Sequence, residues 1–365
     1  MAAQSEEIVP ITDLKGAAQD ACAMRDALMK LGVHIDVKEN TWTVHGVGSN
    51  GFSKPKDTLD LQNSGTAFRL LSFACLRIGD TVYITGDSTL DSRINLDFWK
   101  TLGIEVESGS DQRSLPLRIR GPFSNNELRV DVSKTSQYLS AIVLSMPARE
   151  TPLKLAIEGD IVSKRHAQLS FQIAEECGSK NQFGDWHLKP WKCQPPSLVE
   201  IPYDASHISF WKLYEILHCT SLEFPVVEPV DSIGAEILLG LDFSDTQIVD
   251  LSEANDLITP LAATLALGGG GRIVGAGHAR YKETNRIERT ATMLAAFSIE
   301  VECTEDGLFI QGGQTPMQPI STVETFGDHR MQMTAAILAT KVGAEIQGAE
   351  LHKVSFPTFL DFLQP

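Results

Sequence analysis

The sequence predicts an α/β (α+β) fold made by repeating one module, and three observations carry that prediction. LMKLGVHIDVKENTWTVHG (residues 28–46), WKTLGIEVESGSDQRSLPLRIRG (99–121) and MLAAFSIEVECTEDGLFIQGG (293–313) share one plan: helix end, alternating strand, polar turn, second strand, Gly. Residues 173–190, IAEECGSKNQFGDWHLKP, read as a worn copy. Gly32, Gly103 and Gly178, 71 and 75 positions apart, fall where a helix C-terminus calls for a left-handed residue. IEVE and LFIQ alternate with period two, the pattern of a strand with one buried face.

The helices follow in order, each with a polar start. NSGTAFRLLSFACL (63–76), KTSQYLSAIVLSM (134–146) and SKRHAQLSFQIAEEC (163–177) belong to the first half. DASHISFWKLYEIL (204–217), ANDLITPLAATLAL (254–267), KETNRIERTATMLAAF (282–297) and GDHRMQMTAAILAT (327–340) belong to the second. The glycine run at 268–271 reads as the stop of the helix before it. The Pro-rich stretch PWKCQPPSLVEIPYD marks a seam near residue 200, dividing the chain into repeat domains 1–200 and 201–365.

Composition sets the class of partner. With 42% hydrophobic and 21% charged residues the chain has the make-up of a well-cored globular protein. Its net charge of -16 argues against nucleic acid or an anionic membrane, either of which needs a broad basic face. An anion site must therefore be local. The N-terminus carries no basic stretch followed by an apolar run, and no segment approaches the ~18 apolar residues of a membrane span, so a cytoplasmic location is expected. Six scattered cysteines without a C-x-x-C pair and nine histidines without an H-x-x-x-H pair point to buried thiols and to no metal site. Neither a Walker loop nor a G-x-G-x-x-G turn is present.

Two segments concentrate the chemistry. YKETNRIER (281–289) and FGDHRMQM (326–333) bring together Lys282, Glu283, Arg286, Asp328, His329 and Arg330, each segment being read as the opening of a helix. One Ser or Thr at a helix start is ordinarily a cap. A series of such starts, at SGT, TSQ, SKRH, NDL, KET and GDHR, offers N–H donors and positive dipole ends for a multiply anionic small molecule. Arg69, Arg93, Arg286 and Arg330 are candidate clamps, because the guanidinium fork suits carboxylate and phosphate; surface salt bridging is the alternative, most of all for Arg69. Glu283 and Asp256 are candidate proton carriers.

The same blocks, with NSGTAFRLL, GDSTLDSR (86–93), KTSQYLSAIVLSMP and GDIVSK (159–164), resemble the signature blocks of the EPSP synthase (3-phosphoshikimate 1-carboxyvinyltransferase) family, in order and across nearly the whole chain. The resemblance implies two similar domains of βαβαββ-type modules, three per domain, forming an inside-out barrel architecture with a cleft between the domains. It implies transfer of the enolpyruvyl group from phosphoenolpyruvate to the 5-hydroxyl of shikimate 3-phosphate through a tetrahedral intermediate, by a monomer with no metal or organic cofactor. It places Thr135, Ser136, Gln137, Ser163, Asp256, His278 and Lys282 on shikimate 3-phosphate, and Gly65, Arg93, Gln137, Arg286 and Arg330 on phosphoenolpyruvate. Asp256, Glu283 and His329 would be catalytic, Asp256 taking the attacking proton and Glu283 protonating the methylene carbon. A related family that acts on a UDP-sugar uses a cysteine in a Gly-rich loop, and no cysteine here stands in such a loop.

The chain departs from the family pattern at several points. The family's opening L-P-G-S-K-S-x-S-x-R block has no counterpart, and EIVPITDLKGAAQ resembles the segment just downstream of it, as though the first strand and loop were missing. VSFP (354–357) puts Val354 where the family has Lys, with Lys353 one place early; His166 replaces a Tyr and His278 an Asn. Two absent lysines would weaken anion binding by on the order of a hundredfold, at ~1.5–3 kcal/mol per charge-assisted contact. Three readings follow: the Lys-bearing block lies upstream of Met1; the chain acts on another shikimate-like cyclic acid by elimination or isomerisation; or it is a catalytically impaired binding homologue.

Overall fold

A computed structural model describes residues 1–14, 16–109, 113–223 and 233–363; residues 110–112 of the polar turn expected after IEVE lie outside these. The chain divides into two compact units, Met1–Ile201 and Pro202–Pro365.

In unit 1 the strands and helices are β1 (Ile8–Thr12), α1 (Gln19–Lys30), β2 (His34–Lys38) and β3 (Thr41–His45), then β4 (Leu59–Asp60), α2 (Gly65–Cys75), β5 (Thr81–Thr85), α3 (Ser88–Asp91), α4 (Leu96–Thr101), β6 (Glu105–Glu107) and β7 (Leu117–Arg120). They continue with β8 (Glu127–Asp131), α5 (Gln137–Ser145), β9 (Leu153–Glu158), α6 (Lys164–Glu176), β10 (His187–Leu188) and β11 (Val199–Glu200). Three mixed sheets result, ordered β11-β1-β3-β2, β4-β5-β7-β6 and β10-β9-β8. Each contains one parallel pair, β1 with β11, β4 with β5 or β8 with β9, extended by antiparallel pairing. The third sheet is the worn copy: its antiparallel partner β10 has two residues, and among the described residues the sheet has three strands.

Unit 2 contains α7 (Ile208–His218), α8 (Ile233–Leu239), β12 (Gln247–Asp250), α9 (Ile258–Leu267), β13 (Gly270–Val274), α10 (Arg286–Ala296), β14 (Val301–Cys303), β15 (Leu308–Gln311), α11 (His329–Val342) and α12 (Phe359–Leu363). Its sheet, β12-β13-β15-β14, repeats the plan of β4-β5-β7-β6. Three full copies per domain are not seen among the described residues: beside this sheet unit 2 has a single parallel bridge, Val323 to Ile346, flanking α11.

The central helices are apolar nearly all round, as helices enclosed by a core must be. In α9 every residue from Ile258 to Ala266 is buried, and in unit 1 α2 and α5 are enclosed in the same way. Each buried Leu, Ile or Phe contributes about 1.5–3 kcal/mol relative to exposure, so these helices fix where their N-termini stand.

Several sequence expectations need correction. The glycine run is more than a stop: Gly270 and Gly271 open β13, and a Cβ at Gly271 would run into the Gln247 carbonyl of the paired strand. Helix α10 begins at Arg286, capped by Asn285, so Lys282 and Glu283 lie before the helix and not in its first turn. Gly32, Gly103 and Gly178 all have positive φ, and the equivalent position in the last copy is Ser298 at φ 60°. Of the six cysteines, three are buried, Cys22 is half-buried, and Cys219 and Cys303 are exposed.

Candidate active site

Unit 2 gathers its charged residues around one arginine. Arg286, the first residue of α10, is 1% exposed. Its Nε donates to Asp328 Oδ2 at 2.7 Å, Nη1 to Asp256 Oδ1 at 2.5 Å, and Nη2 to Glu283 Oε2 at 2.5 Å. Three elements supply these acids. Asp256 sits in the 3-10 turn Asn255–Leu257 that leads into α9, Glu283 precedes α10, and Asp328 is the N-cap of α11, its carboxylate also accepting from the Arg330 amide. A buried Thr259 to Thr290 hydrogen bond of 2.9 Å ties α9 to α10 and so holds Asp256 near Arg286. Burial works against the Arg286 charge, but Asp328, Glu283 and Asp256 outweigh it and hold the guanidinium more firmly protonated than usual.

Asp256 is the junction with the remaining cations: Lys282 Nζ lies 3.4 Å and Arg330 Nη2 3.8 Å from its two oxygens. Three carboxylates thus face Lys282, Arg286 and Arg330. Arg330, 5% exposed, also donates from Nη2 to Ser206 Oγ at 3.0 Å, while its Nε and Nη1 are buried without a hydrogen-bond partner. Next to it His329 is buried, and its Nδ1 likewise lacks a partner. Burial is the main reason its pKa falls to about 4; Arg330 and Arg286 add to the drop, and Glu283 and Asp328 oppose it. The imidazole is therefore neutral near pH 7 and able to donate one N–H.

Buried donors left unpaired cost about 1–3 kcal/mol each, more for charged groups. A guanidinium fork with free donors has the geometry to receive a carboxylate or phosphate. The turn leading into it is conformationally costly at Phe326, at φ 54°, while Gly327 takes φ 73° without strain.

Unit 1 brings together the N-termini of α2, α5 and α6. Arg69 Nη1 donates to Gln137 Oε1 at 2.7 Å and to the Gly65 carbonyl at 3.0 Å, and Gln137 Nε2 donates to Thr66 Oγ1 at 2.9 Å. Arg69 Nη2 reaches the Arg93 carbonyl at 3.3 Å, and Arg93 in turn is held by Thr89 and the Asn63 carbonyl. Gly65 permits this approach, since a Cβ there would lie 2.7 Å from Arg69 Nη1 and 3.2 Å from Arg93 Nη1. Ser64 is an ordinary cap, accepting from the Ala67 amide. Ser136 and Ser163 occupy cap positions without capping: the Ser136 hydroxyl donates instead to the Ser163 carbonyl at 3.3 Å, and Ser163 takes a left-handed φ of 47°. Thr135 Oγ1 accepts from the Gln137 amide.

The structure therefore unites Asp256, Lys282, Glu283, Arg286, His329 and Arg330 in unit 2, and Gly65, Arg93, Thr135, Ser136, Gln137 and Ser163 in unit 1. His278 is buried in the short 3-10 helix Gly277–Tyr281 that leads to Lys282. Val354 is buried, and Lys353 is paired with Glu350 at 2.5 Å on the surface. Ser206, which holds Arg330, escaped the sequence reading, where it looked like part of a helix start; Asp328 was named in the charged cluster, but its role as the fully buried partner of Arg286 was not.

Solved structures show which class of protein has this architecture. EPSP synthase from Acinetobacter baumannii superimposes with a TM-score of 0.73 at 22% identity, covering 99% of this chain and 90% of that one. The enolpyruvyl transferase NikO from Streptomyces tendae gives 0.69 at 13% identity, covering 99% and 89%. The fold is that of the enolpyruvyl transferases. Within that class the chain belongs to the EPSP synthase (3-phosphoshikimate 1-carboxyvinyltransferase) family, whose sequence model matches residues 1–216 and 228–363. Among its relatives, the 3-phosphoshikimate 1-carboxyvinyltransferase of Methanothermobacter thermautotrophicus is 28% identical over 370 residues, covering 94% of this chain and 86% of the relative. The protein of the same name from Lactococcus lactis is 25% identical over 386 residues, covering 95% and 88%.

Proposed function

We propose that the chain transfers the enolpyruvyl group of phosphoenolpyruvate to the 5-hydroxyl of shikimate 3-phosphate, as a cytoplasmic monomer whose two units serve as the family's two repeat domains. The observation that carries the proposal is the buried Arg330 fork, unpaired at Nε and Nη1, next to Asp256, Glu283 and Arg286. No helix among the described residues is long and apolar enough to cross a membrane.

In this reading Arg330 and Arg286, with Arg93 and Gly65, bind the carboxylate and phosphate of phosphoenolpyruvate. Thr135, Ser136 and Ser163 bind the phosphate of shikimate 3-phosphate, Gln137 contacts both substrates, and Lys282 and His278 contact the ring. An incoming anion competes with Asp256 and Glu283 for the Arg286 donors, and the displaced carboxylates are the groups the reaction needs as proton carriers. Asp256 takes the proton of the 5-hydroxyl as its oxygen bonds to C2 of phosphoenolpyruvate, while Glu283 delivers a proton to C3. The tetrahedral adduct then loses phosphate, and a proton returns from the new methyl group to the protein. His329, neutral at working pH, donates to the departing phosphate.

A second reading concerns the acceptor. Val354 is buried and apolar, and Lys353 is held by Glu350, which favours a divergent family member acting on another shikimate-like cyclic acid. Steady-state phosphate release decides between them. Release from phosphoenolpyruvate that strictly requires shikimate 3-phosphate supports the first reading. No release at high enzyme concentration, combined with thermal stabilisation by shikimate 3-phosphate but not by phosphoenolpyruvate, would replace it with the second.

A further inference from the structure

Far in sequence from these residues, the hairpin of β2 and β3 carries a second cluster. His34 and His45 are directly paired across the strands, and Asp36 stands two residues beyond His34. Residues i and i+2 share a face of a strand, and directly opposed residues have Cβ atoms about 4.5–5.5 Å apart. Trp42, Val44 and Ile35 point into a small core on the inner face, so His34, Asp36 and His45 share the solvent face. The contacts follow from this register. His45 Nε2 lies 2.9 Å from Asp36 Oδ2, His34 Nε2 lies 3.2 Å from Asp36 Oδ1, and the two rings are 4.7 Å apart. One ligand atom from each residue falls within 4.8 Å of the other two.

We propose that His34, Asp36 and His45 form a surface site for a divalent transition-metal ion of the zinc, nickel or copper type. Two imidazole nitrogens and one carboxylate oxygen are a donor set that such ions accept, with the remaining positions filled by water. Bond lengths of about 2.0–2.2 Å require the ligand atoms to draw closer together than they now stand. The side chains are 68%, 52% and 34% exposed, so their ends can rotate while the paired backbones stay fixed. A net charge of -16 favours cation capture. A bound ion would link β2 to β3 and stabilise the folded chain by mass action. The spacing of residues 34 and 45 conceals the site in sequence, because only strand pairing brings them together.

The test is zinc titration calorimetry on the full chain after chelator treatment, comparing the native sequence with His34→Thr and His45→Thr, which preserve strand preference. The expected result is one saturable zinc per chain whose affinity falls at least about tenfold in either variant, since even loss of an outer partner of a ligand costs that much. Copper(II) should broaden the ring resonances of His34 and His45 before those of other histidines. If zinc binding is unchanged in both variants, the ion sits elsewhere, for example on the exposed Cys219 or Cys303, and the proposal fails. It also fails if no saturable uptake occurs up to millimolar zinc, in which case the imidazoles serve only as ion-pair partners of Asp36.

Discussion

The two units handle arginine in different ways. In unit 2 Arg286 is enclosed by three carboxylates drawn from three elements, and its charge is answered within the protein. In unit 1, bonds to carbonyl, amide and hydroxyl oxygens help orient Arg69 and Arg93. Acids held beside a cation can exchange partners with an incoming anion and then move protons; a guanidinium oriented by carbonyl and hydroxyl oxygens presents its donors in a fixed direction. In the proposed reaction unit 2 would supply the proton carriers along with anion-binding groups, and unit 1 positioning groups alone.

The largest break in this contrast should come from Arg286→Met. It strands Asp328, which is fully buried, and Glu283, which is nearly so, and removing one partner of a buried ion cluster costs about 3–5 kcal/mol. Urea unfolding should register that loss, with phosphate release abolished as well. Arg93→Met in unit 1 should cost less stability, since it removes hydrogen bonds to Thr89 and to the Asn63 carbonyl and leaves the Arg286 cluster intact. Glu283→Gln separates chemistry from folding. It keeps a hydrogen-bond acceptor for Arg286 but removes the proton carrier, so kcat should fall by about 10²–10⁴ while the urea midpoint falls less than in Arg286→Met, because Asp328 and Asp256 still answer the Arg286 charge. An unchanged kcat would mean that Glu283 serves only to neutralise Arg286.

Acid should weaken unit 2 through His329. Its folded pKa of about 4 lies below the ordinary imidazole value of 6.5, so as pH falls the unfolded chain takes up the proton first. The stability tied to a neutral His329 is therefore complete above about pH 6.5 and is lost between there and about pH 4, with a cost near 2 kcal/mol at about pH 5. His207, buried and stacked on Phe356 at 3.9 Å, is shifted downward for the same main reason and acts in the same direction. His329→Gln should flatten the slope of stability against pH in this window.

Much of this arrangement was legible in the chain. The apolar runs of α2, α5 and α9, the strand and turn plan of the repeats, and the motifs around Glu283 and His329 all follow from local patterning. What escaped depends on three dimensions. Lys282 to Thr284 are polar and compatible with a helix, yet α10 waits for the Asn285 cap because the chain is still turning out of the 3-10 helix Gly277–Tyr281. Asp328 carries every local sign of a cap, and only tertiary packing makes it the partner of Arg286. Ser64 and Ser136 look alike in sequence, but only Ser64 caps its helix.

The smallest predicted effect sharpens the comparison on the unit 1 side. In Gly65→Ala the new methyl would lie 2.7 Å from Arg69 Nη1 and 3.2 Å from Arg93 Nη1, closer than packed atoms tolerate. Gly65 is the first residue of α2 and its backbone is not in the left-handed region, so the helix itself accepts alanine. The strain falls on the ends of two flexible side chains. Stability should therefore change by less than about 1 kcal/mol, while both guanidiniums move and Gln137 loses the bond from Arg69. Loss of one charge-assisted contact is worth about 1.5–3 kcal/mol, which corresponds to a rise of roughly tenfold or more in KM for phosphoenolpyruvate with kcat much less affected. A fall in kcat with KM unchanged would show that these arginines act on the transition state, and the assignment of unit 1 to positioning alone would have to be given up.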